Sequence, residues 1–394
     1  MFRANHFIFA IGILMLLVSC KSDGKAEKKA EVVSIDSLLQ LRYQRLLEYS
    51  VDSTNIPRSY TKATNSTRGV PSKDWCSGFF PGNLWQLFKL TGNEMYRQKA
   101  IEWTAFIEKE KYNDGTHDMG FKVYSSFGEG YEVTGNEKYK EVIVQGAKTL
   151  AIRFNENVGS LRSWDWNSNT WEFPVIVDNM MNLELLFEAT RFTGDSTFHK
   201  IAIQHANTTL KNHIREDNSI YHVVVYDTIN GAVKEKVTHQ GFNDESTWAR
   251  GQAWGIYGYT MAYRYTKNED YLNQAEATAK FFLSHENLPE DGIPYWDFND
   301  PDLPDAPRDV SAATIIASAF FELNNYTNDG RYIAYSKKVL HTLQSEKYLL
   351  DKTIEAPFIL DHSTGNWPKK DEIDEPITYA DYYFLEALLR EKKN

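Results

Sequence analysis

A short phrase recurs five times in this chain: Thr91-Gly92-Asn93-Glu94-Met95-Tyr96, Thr134-Gly135-Asn136-Glu137-Lys138-Tyr139, Thr193-Gly194-Asp195-Ser196-Thr197-Phe198, Thr266-Lys267-Asn268-Glu269-Asp270-Tyr271 and Thr327-Asn328-Asp329-Gly330-Arg331-Tyr332. Each copy lies between apolar stretches and reads as the turn of a helical hairpin. Gly or Asn supplies the left-handed stop of one helix, and the aromatic residue anchors the start of the next. The copies are unevenly spaced, which argues against a solenoid of identical repeats. Helix pairs with long, unequal loops fit better, and function belongs on those loops.

Apolar residues at three-to-four spacing predict helices over 34–49, 96–110, 139–154, 180–192, 198–213, 251–265, 271–285, 312–324, 332–343 and 379–392, with further helical segments around 81–90 and 119–133. That makes about twelve helices, and six hairpins in a ring is their natural closure. Strand signal is confined to Ile220–Tyr226, with 227–231 as the turn of a small β-hairpin.

The first residues are charged and polar, residues 7–18 are apolar, and the run ends in Leu17-Val18-Ser19-Cys20. This is the layout of a secretory signal. The ending resembles a bacterial lipobox, which implies lipidation of Cys20 and a chain that is exported to the periplasm or cell surface. On this reading residues 1–20 are a lipoprotein signal peptide. Residues 21–34, rich in Lys, Glu, Ala and Ser, are a flexible tether to the membrane, and 35–394 form one domain. Cys76 is the one other cysteine, so the body has no internal disulfide. A net charge of −11 argues against nucleic acid as a partner, and an anionic ligand would need a local positive cluster. No HExxH, CxxC, Walker loop or GxGxxG occurs, and the expectation is no metal and no other cofactor.

The loops between helices combine Gly or Pro with Trp and a polar side chain, as in Lys73–Gly82, Asp114–Phe121, Ser163–Asn167 and Thr238–Trp254. At one end of a helical ring they would line a carbohydrate-sized pocket. Asp118 follows His117 in a Gly-flanked turn, where partial desolvation favours the neutral acid and the His opposes it. Asp178 sits in the most apolar stretch of the body, Val175 to Leu183, where a raised pKa would keep a proton available near neutral pH. It also heads a helix, so an N-cap is the rival reading. Arg250, flanked by Trp248 and Trp254, can present a guanidinium fork to a carboxylate.

Together Trp75–Phe79, His117–Phe121, Asp178–Leu183, Arg250–Trp254 and Tyr379–Leu388 resemble the unsaturated glucuronyl hydrolases of glycoside hydrolase family 88. The resemblance runs through nearly the whole body. It implies an all-α (α/α)6 barrel with a minor β-hairpin, and an enzyme that removes 4,5-unsaturated uronic acid from the non-reducing end of oligosaccharides left by polysaccharide lyases. Water is added across the double bond. By the same matching Asp178 is the acid that protonates C4, and Asp118 assists. His222, His239, Gln240, Arg250 and Trp254 bind the uronate, with His117, Trp75 and Trp164 completing the pocket. The segment His362-Ser363-Thr364-Gly365-Asn366-Trp367-Pro368-Lys369-Lys370 corresponds to the region facing the second sugar, where Lys369 or Lys370 could meet a sulfate. The alternatives are an unsaturated rhamnogalacturonyl hydrolase acting on pectin fragments, and a non-catalytic surface lipoprotein that captures glycans.

Overall fold

The five repeated phrases fold alike because their hydrogen bonds are local. In each the Thr hydroxyl accepts from the backbone N–H two residues on, and the Asn or Asp side chain caps the next helix, as with Asn93 Oδ1 accepting from Met95 N at 3.0 Å. The residue between them takes a left-handed conformation: Gly92, Gly135, Gly194 and Asn328 as expected, but Lys267 at φ 55° in the fourth. There a side chain with no special tolerance for that conformation ends α8, and Asn268 caps the next helix as its counterparts do in the other copies.

The computed structural model describes residue 1 and residues 34–394; the expected signal peptide, Cys20 and nearly all of the tether lie outside the described residues. Residues Ile35–Asn394 form one compact unit. Its helices are α1 (Ile35–Glu48), α2 (Phe79–Thr91), α3 (Glu94–Ala105), α4 (Glu129–Thr134), α5 (Glu137–Ala151), α6 (Asn179–Thr193), α7 (Ser196–Asn212), α8 (Ala249–Thr266), α9 (Glu269–Ser284), α10 (Val310–Thr327), α11 (Gly330–Leu343) and α12 (Thr378–Glu391). The helix expected over 119–133 is a π-helix at Gly120–Gly128 running into α4, a local form often found at functional sites.

An inner ring of α2, the π-helix with α4, α6, α8, α10 and α12 closes on itself, since α12 packs against both α10 and α2. Outer helices α3, α5, α7, α9 and α11 each follow an inner one and pack against it, while α1 lies against α2 and α3. Inner helices alternate with outer returns, so they run in one direction and their N-terminal ends gather at one mouth. Their side chains make the core: α8 is buried from Ala249 to Ala262 and α10 from Val310 to Leu323.

More chain is extended than periodicity suggests. The strands are β1 (Ile56–Thr61), β2 (Ser66–Val70), β3 (Phe154–Asn155), β4 (Ser160–Leu161), β5 (Pro174–Ile176), β6 (Val223–Tyr226), β7 (Val233–Val237), β8 (Ser363–Asn366) and β9 (Asp371–Glu375). The expected hairpin is β6–β7, with β5 added antiparallel to β6. The β8–β9 hairpin is held to β1–β2 by charge: Arg58 donates to Glu372 at 2.7 Å and Arg68 to Asp371 at 2.6 Å. Polar strands of four or five residues carry no apolar alternation, so they leave little trace in the sequence.

Candidate active site

At the mouth where the inner N-termini meet, the chain leaves β5 and enters α6 through Asp178. Val177 N donates to His222 O at 3.1 Å, which joins this turn to the residue preceding β6. Asp178 occupies the position of a cap, yet its carboxylate makes no capping bond. The rival reading therefore fails: the residue is 8% exposed, with Oδ2 buried and holding no hydrogen bond within the chain. Burial pushes its pKa up to about 7. Arg250 pulls it back, Asp118 pushes it further, and the Trp254 indole N–H opposes the rise.

Asp118 heads the π-helix and is held by Thr116, whose hydroxyl donates to Oδ2 at 2.7 Å and accepts from Asp118 N at 3.1 Å. Thr116 is itself bridged to Trp164. Beside Asp118 stands His117, buried, its Nε2 3.3 Å from Oδ1. Burial lowers the His117 pKa more than Asp118 restores it, so the ring is neutral. The π-helix can approach α6 closely because Gly120 has no side chain: a Cβ there would stand 2.7 Å from Asn182 Cα, and the Asn182 side chain accepts from Phe121 N at 3.0 Å.

His222, 4% exposed, faces Asp178 with Nε2 3.7 Å from Oδ2. Its Nδ1 accepts from the backbone N–H groups of His239 and Gln240 at 3.0 and 3.2 Å. Burial holds its pKa well below the ordinary value. His239 joins a cluster with Trp164, Trp166 and Trp171, in which Trp164 and Trp166 stack at 4.7 Å and 14°. Its pKa falls to about 4 through burial and the nearby Lys369. On the other side Trp75 packs on Phe121 and Tyr379, while Trp254 packs on Phe121 and Tyr383.

Arg250 is fully engaged on one edge. Nη1 donates to Asp309 Oδ2 at 2.6 Å and to Thr364 O at 2.7 Å, and Nη2 donates to Gly365 O at 2.5 Å. Gln240 Nε2 reaches the same Gly365 carbonyl at 3.2 Å. The mouth therefore brings together Asp118, Asp178, His117, His222, His239, Gln240, Arg250, Trp164 and Trp254, with Trp75 along one side. His362 and Ser363 stand apart from this group. His362 Nδ1 lies 2.5 Å from Asp374 and its ring meets Tyr348 edge-on, while Ser363 is buried in the β8–β9 pairing. Lys369 lies 5.4 Å from the Trp166 ring and Lys370 3.8 Å from the Trp367 ring.

Asp309 and Thr116 carry no functional signal of their own in the sequence, whereas Tyr379 opens one of the resemblance motifs. Asp309 sits among turn residues, where Asp is expected anyway, and its capping of α10 hides the second contact to Arg250. Among the described residues no group of three or more His, Cys, Asp or Glu could hold a metal ion. A cavity of about 650 Å³ opens at the opposite, C-terminal end of the inner helices. Charges along its lining pair with one another, Lys89 with Glu129, Arg264 with Glu184 and Arg390 with Glu386 among them, and neither Asp118 nor Asp178 lines it.

This arrangement suits proton delivery to a bound anion: a buried acid near neutrality, a second carboxyl, two neutral imidazoles and a guanidinium. The chain is 59% identical to the unsaturated glucuronyl hydrolase of Formosa agariphila over 98% of both chains, and 34% identical to that of Bacillus sp. strain GL1 over 80% of this chain and 86% of that one. Its fold matches the crystal structure of an unsaturated glucuronyl hydrolase specific for heparin with a TM-score of 0.87, at 42% identity, covering 91% of this chain and 96% of the other. The model for Glycosyl Hydrolase Family 88 matches residues 51–352, and the chain belongs to that family.

Proposed function

We propose that this protein hydrolyses 4,5-unsaturated uronic acid from the non-reducing end of lyase-generated, glycosaminoglycan-type oligosaccharides. The observation that carries the reading is Asp178: a carboxyl with its pKa at about 7, buried at the mouth of an α/α ring, with one oxygen free of hydrogen bonds. Protonation of an enol-ether carbon needs a positioned acid that is neutral at working pH. Asp178 gives its proton to C4, positive charge develops at C5 and the ring oxygen, and water adds at C5. The water's proton passes to the Asp178 carboxylate, which restores the acid. The C5 hemiketal then opens to a ketone and the remaining sugar leaves from C1.

Asp118, 15% exposed at its side chain and fixed by Thr116, is suited to hold ring hydroxyls and to offset the developing positive charge. Arg250 and Gln240, both tied to Gly365, supply donors for the uronate carboxylate, and the Trp164–Trp166 stack supplies an apolar face for a sugar ring. The test is loss of the ultraviolet absorbance of the unsaturated uronate when the protein meets lyase-digested glycosaminoglycans. Decay with the parent and none with Asp178→Asn supports reaction and acid together. No decay with any glycosaminoglycan, pectin or ulvan digest overturns the reading.

The chain is also proposed to be exported and anchored by a lipid on Cys20. The support is the Leu17-Val18-Ser19-Cys20 ending of an apolar run. Labelled palmitate should enter the parent and not Cys20→Ser; equal labelling overturns this.

A further inference from the structure

Asp309 lies at the head of α10, fully buried, and its two oxygens face different tasks. Oδ1 accepts from Ser311 N at 3.0 Å and from the Ser311 hydroxyl at 2.6 Å, which caps α10. Oδ2 accepts from Arg250 Nη1 at 2.6 Å. Arg250 is 1% exposed, so both charges are withdrawn from water. A helix cap needs one oxygen and no charge; Ser or Asn serves equally. The second contact therefore calls for its own explanation.

The guanidinium geometry supplies one. Asp309, Thr364 O and Gly365 O occupy the Nη1 hydrogens and one Nη2 hydrogen. What remains is the Nε–H and the second Nη2–H, two parallel donors on one edge, which is the fork that pairs with a carboxylate. The hydrogen bonds that Arg250 makes within the chain all run through Nη1 and Nη2, and none through Nε. We propose that Asp309 is a positioning residue for the reaction: it locks the far edge of Arg250, so that the Nε edge is held ready for the substrate's uronate carboxylate, and it cancels part of the charge Arg250 directs at Asp178. The inference rests on the hydrolase reading. If that reading fails, the parent itself turns nothing over, whereas failure of this inference leaves an active parent.

The second half of the proposal has a pH signature. The groups facing Asp178 are Arg250 at the head of α8, Asp118 at the head of the π-helix, His222 beside β6 and the Trp254 indole; those facing Arg250 are Asp309, Asp178 and Tyr379. Of these Arg250 lowers the Asp178 pKa, and Asp309 tempers it. Neutralising Asp309 strengthens the positive field on Asp178, so its proton is lost at lower pH.

The test is Asp309→Asn, which keeps a cap oxygen and removes the charge. Steady-state kinetics on an unsaturated disaccharide should show KM raised about tenfold or more, the worth of one charge-assisted hydrogen bond. Below the alkaline limb kcat should change by less than about threefold, because the carboxylate is bound equally in ground and transition states. The alkaline limb of kcat/KM should move to lower pH. A purely structural residue would lower the melting temperature without this split. A folded variant with parental KM, or with its limb unmoved or moved to higher pH, overturns the proposal. Asp309→Ser, which caps through a hydroxyl and leaves room for an anion, is the second variant: added formate should bring its KM back toward the parent, and no rescue counts against. If neither variant folds, the pair is scaffolding and the proposal falls.

Discussion

His222 Nε2 stands 3.7 Å from Asp178 Oδ2, while its Nδ1 accepts two backbone N–H groups from the segment at His239 and Gln240. A neutral imidazole has one acceptor nitrogen and one donor nitrogen, so the proton is assigned to Nε2, on the side of the carboxyl. The ring can thus steady the Asp178 carboxylate that forms once its proton has gone, without itself becoming charged. Removing it in His222→Phe leaves the two N–H groups unpaired and takes away the donor. Turnover should fall by about tenfold to a thousandfold. His222→Asn, which offers an acceptor and a donor, should recover part of it. Stopped assays on both variants decide.

The pKa of Asp178, raised to about 7, fixes the direction of the pH dependence. The protonated form is the active one, so kcat/KM should be level below pH 7 and fall tenfold per unit above it. The buried imidazoles, with pKa values held down, add no competing limb near neutrality. A rate that rises through pH 7 would contradict the assignment.

The same shift acts on stability. Asp178 prefers its neutral form when folded and ionises near 3.8 when unfolded, so its favourable contribution is whole below 3.8 and is lost as pH rises through about 7. Asp178→Asn carries no such loss. It should be more stable than the parent at pH 8, by on the order of 4 kcal/mol, and equal to it at pH 3. Denaturant titrations at both values test this, and the variant should be inactive throughout.

Two tryptophans should part company. Trp254 is fully buried against Phe121 and Tyr383, and Trp254→Ala should cost about 3–5 kcal/mol of stability. Trp166 is 46% exposed and stacked on Trp164, so Trp166→Ala should alter stability by less than about 0.5 kcal/mol. Its effect should be on KM, and larger for tetrasaccharides than for disaccharides. Melting curves and kinetics on both lengths separate the two.

Lys267 ends α8 at φ 55°, a conformation that glycine adopts without strain. Lys267→Gly should raise stability by about 0.5–1 kcal/mol, with activity unchanged. Urea unfolding measures it.

Short-range physics controls the part of this fold that can be read from the letters. The Thr-Gly-Asn turns are closed by hydrogen bonds spanning two to four residues, so they can be read from the letters, and ring order follows from their alternation with helices. Asp178 is legible for a related reason: all eight of its neighbours from Val175 to Leu183 are apolar or amide side chains, and burial of such a stretch carries the carboxyl with it. The remaining contacts form only when the ring closes. Arg250 meets Asp309 across 59 residues and Gly365 across 115, His222 meets the turn at His239, and β9 is tied to β1 across more than 300. Contacts of that span leave no periodicity, because each partner also satisfies a local rule. Asp309 reads as a cap and Gly365 as a turn residue, and only ring closure, which brings the heads of α8 and α10 side by side, joins them into one site.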